Sequence, residues 1–175
     1  LPTGSKSLDR VAHLIEGFTP IGEWSPHENV WIVTMDYETG KRVVFGQPTA
    51  PPAPLSLAVQ ASCSIPAWYS PVEINGHRYV DGGAWSATSV DLLANMGLDE
   101  VYVIAPMVSF HMDRPDHLLA RLERTWRVQV TKRCLNEVEK VRAGGMDVTV
   151  LGPEAEDLAE RSEERRVGKE CASMC

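Results

Sequence analysis

The sequence has no apolar run approaching the roughly 20 residues that a membrane-spanning helix needs. Its four cysteines, Cys63, Cys134, Cys171 and Cys175, form no CxxC pair, and none stands at zinc-site spacing from a histidine. The five histidines are scattered and form no HExxH motif, so no metal is expected. Positive charge is also short. Seventeen Lys and Arg against 24 Asp and Glu leave a net charge of −7 and a pI near 5.2, which removes the basic surface that nucleic-acid binding requires. The first residues, from Leu1 to Ser5, have neither the basic stretch nor the apolar stretch of a signal peptide and no initiator methionine. Any targeting segment is therefore expected upstream. Few, dispersed thiols fit a reducing, cytoplasmic setting.

What is present is ordinary globular composition, 43% hydrophobic and 23% charged over 175 residues. A chain of this length buries roughly 70% of its unfolded surface in one domain. The last residues are set apart. Arg161 to Cys171 reads RSEERRVGKEC, which resembles one reading frame of a common short-read sequencing-library adapter over eleven consecutive positions. Residues 161–175 are accordingly expected to be an artefact, with Ala172 to Cys175 unexplained by the adapter, and fold reasoning is confined to 1–160.

Along that body, Leu8, Val11, Ala12, Leu14 and Ile15 fall on a helical spacing closed by Gly17. Val30 to Met35 is β-branched and aromatic, and Arg42 to Phe45 reads as its returning strand after the turn Glu38 to Lys41. Pro48, Pro51, Pro52 and Pro54 deliver the chain into a short helix from Leu55 to Ser62. Val72 to Ile74 and Arg78 to Val80 flank Asn75-Gly76, a strong hairpin signal. Ser89 to Met96 is expected as a helix. Val101, Val103 and Ile104 suggest a buried strand, and Pro115 to Ala143 a long helix ended by Gly144-Gly145. Leu118, Leu119, Leu122, Trp126, Val130, Leu135, Val138 and Val141 mark the apolar register of that helix, and Val148 to Leu151 follows as a strand. Strands alternating with helices predict an α/β layered sheet, and the lack of repeats or linkers predicts one domain.

Chemistry concentrates where Asp81-Gly82-Gly83 follows the strand Arg78-Tyr79-Val80. A carboxylate at a strand end is held rigidly, and paired glycines allow a sharp turn and a close backbone approach. Many ordinary turns contain Asp-Gly-Gly, so its setting has to single this one out. Ala61 to Tyr69 (ASCSIPAWY), Asn75 to Gly83 (NGHRYVDGG) and Ser89-Val90-Asp91, with the strand from Glu100 to Ile104 beyond, together resemble the patatin-like phospholipase family. The likeness covers most of 1–160 and is most specific from Ala61 to Val103.

The resemblance implies a three-layer α/β/α fold of patatin or lysophospholipase type, here truncated, and a Ser–Asp dyad with Asp81 as base and Gly82 and Gly83 supporting the motif. The family's Gly-x-Ser-x-Gly nucleophile turn and glycine-rich oxyanion loop do not occur in the sequence; Gly4-Ser5 lies in no such pattern. Both elements are expected before residue 1, and the nucleophile outside this chain. The implied parent protein is a serine lipid acyl hydrolase of phospholipase, lysophospholipase or esterase type. Its substrate is a lipid ester, it needs no organic or metal cofactor, and peripheral membrane contact is compatible with it. A catalytically silent binder of lipid or a partner protein, and an acyltransferase using the same dyad, are the alternatives. Oligomeric state is not legible.

Trp68, Tyr69 and Trp85 bracket Asp81 in sequence and are candidates to line an acyl-chain pocket, with ordinary packing as the competing reading. Trp24, Trp31 and Trp126 are assigned to packing. His77 invites a Ser-His-Asp reading, but it stands across a strand from the turn. Ser62 and Ser64 read as turn residues bonding backbone, and Cys63 as a small buried residue.

Overall fold

The computed structural model describes residues 2–110 and 118–153, the side chains of 118–123 aside. The expected artefact at 161–175 and the start of the long helix at 115–117 lie outside the described residues. The chain divides into two compact units, Leu1–Ser86 and Ala87–Cys175. Strands and helices mix in both, so the α/β class holds.

In the first unit, α1 (Asp9–Glu16) begins with an acidic residue in its first turn, which suits the positive end of the helix. Of its expected apolar stripe only Ala12 is buried, while Leu14 is 64% exposed. The helix packs on α2 (Leu55–Ser62), where Gln60 Nε2 donates to Asp9 Oδ1 at 3.0 Å. β1 (Ile32–Asp36) and β2 (Arg42–Phe45) form the expected hairpin, with Ile32 opposite Phe45. Its turn is tied by the Asp36 carboxylate, which accepts from the Thr39 amide at 2.7 Å and hydroxyl at 2.8 Å.

β3 (Val72–Ile74) and β4 (His77–Asp81) are joined through Asn75 at φ 53° and Gly76 at φ 78°. Two consecutive left-handed residues make the turn that matches strand twist, which is why Asn-Gly announced it. All pairings in this sheet are antiparallel, in the order β2-β1-β4-β3. α2 covers the sheet, and its small residues Ala58 and Ala61 let it approach closely over Phe45, Ile74 and Tyr79. Phe45 and Tyr79 meet edge to face with centroids 5.0 Å apart.

The second unit holds β5 (Glu100–Ile104) and β6 (Asp147–Leu151), a parallel pair joined through α3 (Leu118–Ala143). Its core gathers Val101, Val103, Val108, Val138, Val141 and Val148. Three expectations are corrected here. The helix predicted from Ser89 to Met96 is only a 3-10 turn, Val90–Leu93, because its amides close three residues back, Leu92 on the Ser89 carbonyl and Ala94 on the Asp91 carbonyl, both at 3.2 Å. Ile104 is 80% exposed, since strict alternation along β5 turns Val101 and Val103 inward and its neighbours outward. Trp126 and Leu135 are 50% and 40% exposed: the buried stripe of α3 runs through Cys134, Val138 and Val141, and Leu135 sits about 100° around the helix from Cys134.

Candidate active site

The site is built where β4 ends. β1 pairs with β4 so that Thr34 lies opposite Asp81, and the Asp81 amide donates to the Ser64 carbonyl at 3.0 Å. The strand end is thus held from two sides, by β1 and by the turn leaving α2. The chain then enters a single 3-10 turn, Gly82–Ala84, closed by the Trp85 amide on the Gly82 carbonyl at 2.9 Å.

Both glycines of the motif have a steric reason. A β-carbon on Gly82 would lie 2.4 Å from the Val33 carbonyl oxygen, and one on Gly83 would lie 3.0 Å from Asp81 Oδ1. The first glycine lets the turn press against β1. The second leaves room for the carboxylate, which caps the turn by accepting from the Gly83 amide at 2.7 Å.

Asp81 is half-buried, and among the described residues its second oxygen, Oδ2, accepts no hydrogen bond. Burial pushes its carboxyl above the ordinary value, a shift that the Gly83 amide only partly offsets. A carboxylate oriented by one oxygen and raised in basicity can take a proton through the other.

The end of α2 supplies the surroundings. Ser62 Oγ donates to the Val33 carbonyl at 2.8 Å and Ser64 Oγ to the Gln60 carbonyl at 2.8 Å, so both serines bond backbone as their sequence setting suggested. Cys63 is exposed rather than buried as expected, because it caps the helix end instead of facing the sheet. Its thiol is pushed up by burial of the sulfur and by the negative charge of Asp81, which makes it a poor nucleophile and places it within the field of the carboxylate. The sequence reading missed this neighbour. The only hint was its position directly before Ser64-Ile65-Pro66.

His77 does not join Asp81. It stands at the opposite end of β4, about 13 Å away at roughly 3.3 Å per residue. Its side chain is 67% exposed, with Nδ1 3.9 Å from Asp36 Oδ2. Trp68 is 67% and Trp85 42% exposed, and Tyr69 is half-buried. Trp68 and Tyr69 follow a tight turn in which Ala67 takes φ 72°, and Lys6 pairs alongside Tyr69. Trp24 packs against the first core and Trp31 is half-buried, whereas Trp126 is an exposed residue of α3 rather than a core one. Among the described residues no group of three His, Cys, Asp or Glu could hold a metal ion, and no helix is long and apolar enough to cross a membrane.

A mixed α/β chain with a half-buried, basicity-raised carboxylate at a strand end defines a candidate acid–base site. Residues 18–102 match the family model described as patatin-like phospholipase, which assigns the segment carrying Asp81, Gly82 and Gly83 to that family. Patatin-like phospholipases act as hydrolases on lipid esters.

Proposed function

We propose that Asp81 is the base of a Ser–Asp dyad in a serine lipid acyl hydrolase, of which this chain carries the aspartate and not the nucleophile. The observation that carries the reading is the Asp81 carboxylate, tethered by Oδ1 to the Gly83 amide and raised in basicity by burial, within the family segment. A serine hydroxyl is a poor nucleophile until a neighbouring base takes its proton. With Asp81 Oδ2 accepting that proton, the serine oxygen bonds to the ester carbonyl carbon, whose π electrons move to the oxygen. Collapse of the oxyanion breaks the bond to the alcohol, which leaves with the proton from Asp81. Water then attacks the acyl-enzyme by the same sequence and releases the fatty acid. Backbone amides of the glycine-rich loop would stabilise the oxyanion.

The substrate of this reading is a phospholipid or lysophospholipid ester. Trp68, Tyr69 and Trp85 would line its acyl chain, and the exposure of Trp68 and Trp85 supports an apolar contact there. The absence of any Gly-x-Ser-x-Gly pattern in the sequence supports an inactive isolated chain.

The test is hydrolysis of a chromogenic fatty-acyl ester by a protein that carries this segment together with a Gly-x-Ser-x-Gly turn, wild type against Asp81→Asn. Asparagine keeps the shape and removes the base. A fall of several orders of magnitude with the fold intact is expected. Equal rates would reduce Asp81 to a turn residue, and no activity in either would favour a silent lipid binder.

A further inference from the structure

The strand that carries Asp81 is pinned at one carbonyl. Val33 is the β1 residue next to Thr34, which pairs with Asp81, and its carbonyl oxygen is the atom against which Gly82 presses. The same oxygen accepts the Ser62 hydroxyl at 2.8 Å. A residue on the last turn of α2 therefore reaches a central strand to fix the surface on which the Asp81-Gly82-Gly83 turn rests. Two residues later the same segment bonds the Asp81 amide directly, through the Ser64 carbonyl.

We propose that Ser62 is a positioning residue for Asp81: its hydroxyl, through the Val33 carbonyl and Gly82, holds the turn that orients the carboxylate. The proposal rests on the reading of Asp81 as the base, and it gives the segment between α2 and the Ser-Ile-Pro turn a task in the chemistry beyond packing. The geometry separates Ser62 from its neighbour. The Ser64 hydroxyl, just beyond the end of α2, bonds back to the Gln60 carbonyl of that helix, so its loss affects the helix end and not the strand carbonyl. The Ser62 bond spans 29 positions of sequence and ties helix to strand. Without it the Val33 carbonyl loses its donor, the close contact with Gly82 can open, and water can reach the carboxylate. Gly83 would then hold Oδ1 on a looser turn.

The experiment follows the Asp81 carboxyl carbon by 13C NMR through a pH titration of the full chain, with Asp81→Asn identifying the resonance. Wild type is compared with Ser62→Ala, Ser62→Cys, Ser62→Thr and Ser64→Ala, and each is also melted. Ser62→Ala and Ser62→Cys should shift the Asp81 midpoint down towards an ordinary carboxylate and move the Gly83 amide resonance. Ser62→Thr, which keeps the hydroxyl, should titrate as wild type. Ser64→Ala should melt earlier with Asp81 unmoved. A wild-type Asp81 titration in Ser62→Ala or Ser62→Cys would overturn the proposal. So would failure of both to fold, since the hydroxyl would then serve the fold at large. The readout needs no turnover: if Asp81→Asn left hydrolysis intact the dyad would fail, yet the titration would still show whether Ser62 sets the carboxylate.

Discussion

Gly82 sits so close to Val33 that a β-carbon on it would meet the Val33 carbonyl oxygen at 2.4 Å. That oxygen belongs to backbone in the middle of a sheet and cannot swing away, so Gly82→Ala must displace the turn. A loss of about 1–3 kcal/mol is expected, the usual range for forcing extra volume into a packed site. Gly83→Ala meets instead a carboxylate oxygen at 3.0 Å, which can rotate about its own side chain. It should cost less stability while moving the Asp81 titration. Urea unfolding of both variants checks the order; an equal loss would remove the distinction between the two glycines.

The two strand-end carboxylates give opposite pH dependences. Burial raises Asp81 above its unfolded value, so between the two values the folded state binds more protons and stability falls as pH rises through that window. Asp81→Asn should therefore be more stable than wild type at neutral pH, with the gain vanishing below the ordinary carboxylate range. At Asp36 burial raises the value, but the hydrogen bonds from Thr39 and Glu38 and the charge of His77 outweigh it, and the net shift is downward. Its contribution is present above the unfolded value and lost as pH falls through the folded one. Asp36→Asn should be less stable than wild type at neutral pH. Thermal melts from pH 2 to 8 read both signs.

Ala67 occupies the third position of a turn closed by the Trp68 amide on the Ile65 carbonyl at 3.2 Å, with φ 72°. A β-carbon there costs about 1–2 kcal/mol, whereas glycine is free to adopt the angle and gives back about 0.4–1 kcal/mol through the unfolded chain. Ala67→Gly should raise stability by up to about 1 kcal/mol. An unchanged or lower urea midpoint would show that the turn holds alanine without strain.

Cys63 reports on Asp81 without any substrate. Burial and then the negative charge of Asp81 hold its thiol up, so removing that charge should increase the thiolate fraction. Asp81→Asn is expected to speed alkylation of Cys63 at pH 8, measured by peptide mapping to keep it apart from the other cysteines. An unaltered rate would place the thiol outside the field of the carboxylate.

Local signals in the sequence were read well where they depend on backbone chemistry. Asn75-Gly76 gave its turn, since few residues accept two successive positive φ angles. Pro54 marked the entry to α2, whose limits fell where expected. Arg42 to Phe45 returned on β1 in the predicted place. The Asp81-Gly82-Gly83 motif was legible as a strand-end turn, and its family segment is matched over residues 18–102. Apolar periodicity served less well. It named Leu14, Ile104, Trp126 and Leu135 as inward-facing, and each is exposed. Periodicity states that a face is apolar, but not which neighbour arrives to cover it. The predicted helix from Ser89 failed because its amides bond three residues back rather than four, a choice that apolar spacing over so short a segment does not distinguish.

The sequence by itself determined the elements outside the segment from Ser89 to Met96, the hairpin, and the strand-end turn of the aspartate with its two glycines, because these follow from what each residue permits its own backbone to do. Tertiary structure alone decided the environment of that aspartate. Ser62 on the Val33 carbonyl, the Ser64 carbonyl on the Asp81 amide and the Cys63 thiol near the carboxylate join positions 17 to 29 residues apart. Burial and hydrogen bonding across such separations are properties of packed neighbours, and they set whether a carboxylate is an ordinary surface charge or a base.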